Sequence, residues 1–215
     1  MARYDKDHKR LSRERIIEAA GRRFKADGID GSGVATLMKD AGLTNGAFYG
    51  HFESKDDLVS TALGEELRGQ RAVLAGLEPG PAGLEQFIRA YLSVEHRDDL
   101  SGGCPSAALL DEIGRCTDRT RQSYSDGILD IIDDLAGRLD GVAPRDARVA
   151  VLGLFASMVG TIQLSRALTD RRLADAVLEQ GIQNGLVLIR AAGSMAPTIG
   201  RARRSSGGAT SSGPR

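Results

Sequence analysis

Apolar residues along this chain recur three and four positions apart, and no stretch alternates with period two. That pattern predicts helices throughout and no strands. Ile16, Ile17, Ala20 and Phe24 mark the inner face of a first helix, expected from a Ser12 cap to about Asp27 and ended by Gly28. GIDGSG at 28–33 reads as a turn. Val34, Leu37, Met38 and Ala41 then keep helical spacing until Gly42 stops them where a left-handed residue is wanted. Thr44 stands as the cap of a very short helix, with Phe48 and Phe52 one turn apart on one face. Ser54 and Asp57 form an S-x-x-D box that opens a longer helix to about Leu77. After PGPAG at 79–83, the clearest break, amphipathic segments follow at about 82–97, 105–115, 118–139, 144–167 and 171–192. Pro105 and Pro144 suit first-turn positions.

Segment 34–55 is a compact helix-turn-helix by this pattern: one helix braces a second, whose other face turns outward. That face holds Thr44, Asn45, Tyr49 and His51, with Lys55 just beyond. Hydroxyl, amide, imidazole and ammonium groups are the types that bind phosphates and base edges. The run AGLTNGAFYGHFESKDDL resembles the signature of the TetR family of bacterial transcriptional repressors, closely from Ile16 to about Leu63. Beyond Leu63 only the architecture is similar. The resemblance implies an all-α homodimer with an N-terminal three-helix helix-turn-helix DNA-binding domain at 1–55. A helical ligand-binding and dimerisation domain at 56–193 and a tail at 194–215 would follow. It places Asn45, Gly46 and Ala47 near bases and backbone, and Tyr49, His51 and Lys55 on phosphates. Ser32, Gly33 and Thr44 complete the expected DNA-facing set. Two departures stand out: Ala35 and Ala47 occupy positions where relatives often carry polar side chains, and the Ala47 methyl is suited to meet a thymine methyl.

Charge changes the picture only when divided. The net charge is zero, yet residues 1–55 hold 11 Lys/Arg against 8 Asp/Glu, residues 56–189 hold 13 against 21, and 190–215 hold five Arg and no acid. A basic headpiece on an acidic body favours one orientation toward a polyanion such as double-stranded DNA. Residues 1–11, with Arg3, Lys6, Lys9 and Arg10, read as a mobile polar arm. The Gly/Ser/Arg-rich end from Gly193 reads as disordered. MARYDKDHKR has no apolar run after its charges, so no secretory leader is expected. Val149 to Leu164 is uncharged but shorter than the ~20 residues that span a bilayer. Two cysteines, Cys104 and Cys116, make no disulfide framework and fit a reducing cytoplasm.

No acid/base pair, metal-ligand spacing or phosphate loop is visible, so neither enzymatic chemistry, cofactor nor metal is expected. His96 beside Glu95, Asp98 and Asp99 reads as part of a solvated turn. Residues expected to line a small-molecule effector pocket are Phe87, Ile88, Tyr91, Cys104, Leu109, Tyr124, Ile128 and Phe155. Cys104, before Pro105 at a helix start, opens an alternative in which a redox or electrophile signal acts on its thiolate. Finally, small residues one turn apart in 144–167 (Gly153, Ala156, Ser157, Gly160) and 171–192 (Gly181, Gly185) permit close helix approach. Each mid-helix Gly costs about 1 kcal/mol against Ala, so something offsets it. A four-helix seam between two copies, presenting two headpieces to a pseudo-palindromic operator, is the expected reason.

Overall fold

The computed structural model describes residues 2–194, and among these there are helices and no strand. The elements are α1 (Ala2–Asp27), α2 (Val34–Asp40), a 3-10 helix (Asn45–Gly50), α3 (Lys55–Leu74), α4 (Gly80–Tyr91), α5 (Val94–Asp98), α6 (Pro105–Ile113), α7 (Asp118–Ala136), α8 (Pro144–Ala167) and α9 (Arg171–Ser194). The arginine-bearing tail lies outside the described residues, and so does its expected disorder.

Two apolar cores organise these helices. In the first, Ile16, Ala20 and Phe24 of α1 meet Leu37 and Met38 of α2, Phe48, Phe52, and Leu58 to Leu63 of α3. In the second, α4, α7, α8 and α9 pack around Ile88, Ile132, Leu154 and Ile162, with Leu67 and Leu74 of α3. Helix α3 therefore belongs to both cores, changing allegiance between Leu63 and Leu67. Helix α6 is shared as well: Ala107 packs in the second core, Leu109 and Ile113 in the first. Among the described residues, the two cores meet along α3 and α6.

Local chemistry sets the boundaries. Ser54 accepts a hydrogen bond from the Asp57 N–H at 3.1 Å, capping α3 as its box predicts. The Asp57 carboxylate returns to the Glu53 N–H at 3.2 Å, one residue earlier than in the standard reciprocal arrangement. Gly28 (φ 82°) and Gly42 (φ 68°) turn the chain after α1 and α2 in the left-handed region open to glycine.

Three expectations are corrected. Helix α1 begins at Ala2, so the arm expected over 1–11 is helical over its described residues, and Ser12, buried within α1, is not its cap. The segment expected as one helix over 82–97 is two, because Leu92 leaves helical geometry and Ser93 caps α5 through the His96 N–H at 3.1 Å. The small residues of the last two helices divide by role. A Cβ on Gly181 would lie 2.6 Å from the Thr161 methyl, and one on Gly185 would lie 3.2 Å from both Ile88 and Leu154. Those two glycines serve packing within the chain. Gly153 and Gly160 meet nothing within 4 Å. Around them α8 exposes Val149, Leu152 and Leu164, and α9 exposes Leu173, Val187 and Leu188. By length and composition α8 is also apolar enough to cross a membrane, but its other face is packed into the second core.

Candidate nucleic-acid interface

The 3-10 helix is held from beneath by one fully buried side chain, Phe48, which packs edge-on against Tyr49 at 5.2 Å and against Phe52 at 5.8 Å. With its apolar side anchored, the opposite side is presented to solvent. Thr44, Asn45, Gly46 and Tyr49 are exposed, Tyr49 by 78%, and Ala47 is half-buried. No side-chain bond caps the helix from Thr44, so its hydroxyl is not spent on the backbone. Open space surrounds Gly46 and Gly50, which lets a bulky partner approach the main chain. A convex polar ridge of this kind offers donors and acceptors to a groove.

His51 follows directly. Its ring is half-buried, and Nδ1 is enclosed without a hydrogen-bond partner. Burial lowers its pKa below the ordinary histidine value, and the nearby charges of Lys9 and Arg13 lower it further. Arg13 stacks over the Phe52 ring at 4.7 Å. Arg13 stood outside the sequence-based site, and Lys9 was assigned to a mobile arm. Their spacing of four residues was the available signal, hidden by the expectation that the helix starts at Ser12.

Two expected DNA contacts are engaged elsewhere. Ser32 is 1% exposed and donates its hydroxyl to the Gly28 carbonyl at 2.7 Å, so it fastens the turn from a buried position. Its neighbour Gly33 is exposed at the start of α2. The Lys55 ammonium donates to the Ile29 carbonyl at 2.5 Å, while the Glu112 carboxylate of α6 accepts from the Ile29 N–H at 2.7 Å. Here the loop after α1 is clamped from both sides, by α3 and by α6.

The residues expected around an effector divide between the cores. Phe87, Ile88, Tyr91, Cys104, Ile128 and Phe155 gather in the second core, where Tyr91 meets Phe87 at 5.7 Å and Phe155 at 5.6 Å. Tyr124 touches both cores, its hydroxyl 2.9 Å from that of Ser106. Leu109 lies in the headpiece core, because α6 turns that face toward α1 and α3. The Tyr91 hydroxyl is buried without a hydrogen-bond partner of ordinary geometry, and burial, then the neighbouring Cys104, pushes its pKa well up. Cys104 starts α6 as expected but is only 5% exposed. Cys116 is half-buried, and burial followed by Asp56 and Asp30 raises its thiol pKa.

His96 corrects the solvated-turn reading. Its Nδ1 lies 2.6 Å from the Tyr91 carbonyl and its Nε2 accepts from the Cys104 N–H at 3.0 Å. Those partners assign the neutral ring with hydrogen on Nδ1. Arg166 ties the same corner, donating to the carbonyls of His96 (2.8 Å), Arg97 (3.0 Å) and Ala107 (3.0 Å).

An exposed polar ridge on a braced helix-turn-helix, joined through a shared helix to an all-helical body, defines the class: a helix-turn-helix regulator fold. Residues 16–62 match the profile described as bacterial regulatory proteins, tetR family. The headpiece of this chain is thus similar in sequence to that family, and the whole chain shares its fold with solved structures of such regulators. The chain is 38% identical over 60 residues to the HTH-type transcriptional regulator AcrR of Shigella flexneri, covering 28% of each chain. The chain thus spans less than a third of the length of the curated relatives it matches. Whole-chain similarity is structural. The reduced form of NemR from E. coli superposes with a TM-score of 0.68 at 18% identity, covering 81% of this chain and 94% of the other. A TetR transcriptional regulator from Chloroflexus aurantiacus gives 0.66 at 25% identity, covering 86% and 96%.

Proposed function

We propose that the protein is a DNA-binding transcriptional regulator of the bacterial cytoplasm, acting as a homodimeric repressor that a small-molecule effector releases from its operator. The observation that carries the reading is the exposed ridge Thr44–Tyr49, seated on Phe48 and continuous with His51. AcrR, similar to this chain over 60 residues, is described as a transcriptional regulator. A groove-binding element needs a rigid base and an unobstructed face, and this ridge has both.

Dimerisation is assigned to the exposed face of α8 and α9. Val149, Leu152, Gly153, Ala156, Gly160 and Leu164 follow helical spacing along one side of α8, with solvent where a partner helix would lie. Two copies joined there present two ridges, the arrangement that reads a pseudo-palindromic site. The effector is assigned to the second core around Tyr91. Its buried hydroxyl, beside Cys104, has no hydrogen-bond partner of ordinary geometry, which favours a ligand that supplies an acceptor inside a largely apolar site. Coupling follows from α3 and α6, each of which has one end in each core. A ligand that prefers one placement of these helices shifts the headpieces by its differential affinity alone. The burial of Cys104 favours this reversible input over thiol chemistry.

The test replaces Asn45 and Tyr49 together by Ala and measures binding to duplexes selected by the wild-type protein. Both side chains are exposed, so helicity and thermal stability stay unchanged while affinity for the selected sites falls at least tenfold. Undiminished, equally selective binding by the double variant would remove the ridge from the interface.

A further inference from the structure

We propose that Lys9 and Arg13 of α1, together with the His51 ring, grip a phosphodiester group of duplex DNA, making α1 a second DNA-contacting element. The proposal rests on the DNA-binding reading above and adds to it a site on a different helix.

Residues four apart share a helix face, so the start of α1 at Ala2 places Lys9 and Arg13 side by side. Arg13 is fixed over Phe52 at 4.7 Å, immediately beside His51 in the chain. A guanidinium stacked on a ring keeps its in-plane N–H groups free to bind oxygen. Both cations are unneutralised: among the described residues neither Lys9 nor Arg13 makes an ion pair. Their neighbours differ, for Arg10 pairs with Glu14 at 2.9 Å and Arg23 with Asp40 at 2.8 Å. Glu65, whose charge Arg13 influences, is already held by Arg68 at 2.7 Å. His51 completes the set. Its enclosed Nδ1 has no acceptor to receive a hydrogen, so the hydrogen of the neutral ring sits on Nε2, a donor. Two cations set beside a neutral N–H donor favour an anion between them, and a phosphate oxygen accepts from all three. Burial first, then the charges of Lys9 and Arg13, lowers the His51 pKa, in keeping with two cations near the ring.

The experiment measures anisotropy of the full-length protein with a fluorescein-labelled 30-bp duplex of arbitrary sequence at several salt concentrations. Each neutralised phosphate contact contributes about 0.9 to the slope of log affinity against log salt. With one phosphate shared by both cations, the Lys9→Gln/Arg13→Gln double variant should flatten the slope by about 0.9 and each single variant by less. His51→Ala removes an uncharged donor, so affinity should fall about fivefold with the slope unchanged. Arg89→Gln, in the body and paired with Glu85, serves as the charge-matched control and should match wild type. A Lys9/Arg13 double variant with wild-type slope and affinity overturns the clamp while leaving the ridge reading intact. A wild-type protein that binds no duplex at any salt overturns both. Circular dichroism of each variant separates lost contacts from lost fold.

Discussion

His96 shows how a single neutral side chain joins three elements: its two ring nitrogens tie the end of α4 to the start of α6, around the α5 turn. Protonation would set a new N–H against the Cys104 N–H, so the fold favours the neutral ring, and burial lowers its pKa accordingly. The unfolded chain then binds more protons than the folded one in the window below the ordinary value of about 6.5. This contribution to stability is complete above that pH and is lost as pH falls through the lower folded value. Urea midpoints should therefore drop between pH 7.5 and pH 5, and His96→Asn should reduce the drop. His51 carries the same sign and accounts for a remainder. An unchanged midpoint in wild type across that range would contradict the assigned tautomer. Residue roles of this kind were the least legible in the sequence. His96 reads as solvated because its neighbours are acidic, and Ser32 and Lys55 read as DNA-facing through the family resemblance. Each role depends on a carbonyl or N–H supplied from elsewhere in the fold, which spacing does not encode.

Helices were far more legible, since the period of apolar positions reflects burial directly. The ranges 144–167 and 171–192 agree with α8 and nearly with α9 (Arg171–Ser194) because both are long and strongly patterned. The miss at α1 has the opposite cause: its first ten residues carry hardly any apolar residues, so no period announces them. Glycine roles were ambiguous for a further reason. A small residue signals close approach but not which helix approaches. With the partners known, two substitutions separate the cases. Gly185→Leu forces a side chain onto Ile88 and Leu154 and should destabilise the fold by about 1–3 kcal/mol. Gly160→Leu meets open space within the chain, so thermal stability measured on dilute protein should hold or rise, while sedimentation should show a weakened dimer. A Gly160→Leu dimer as tight as wild type would move the seam off this face of α8.

At the scale of the molecule, the two cores are joined by α3 and α6 and by the clamp on the α1–α2 loop, where Glu112 and Lys55 hold Ile29 from opposite sides. The Lys25–Glu66 pair at 2.6 Å, with Lys25 only 4% exposed, further locks α1 to α3. In the proposed dimer, these connections would couple the placement of the two ridges to the packing of α3 and α6. The central claim is that this geometry reads paired half-sites. Selection of bound fragments from a random duplex pool, followed by footprinting of the enriched sequences, measures it directly. The account predicts enrichment of an inverted repeat, with two protected half-sites on one face of the duplex whose centres lie about 34–36 Å, or a multiple of that, apart. No enrichment over the starting pool, or protection of a single unpaired half-site, would contradict it.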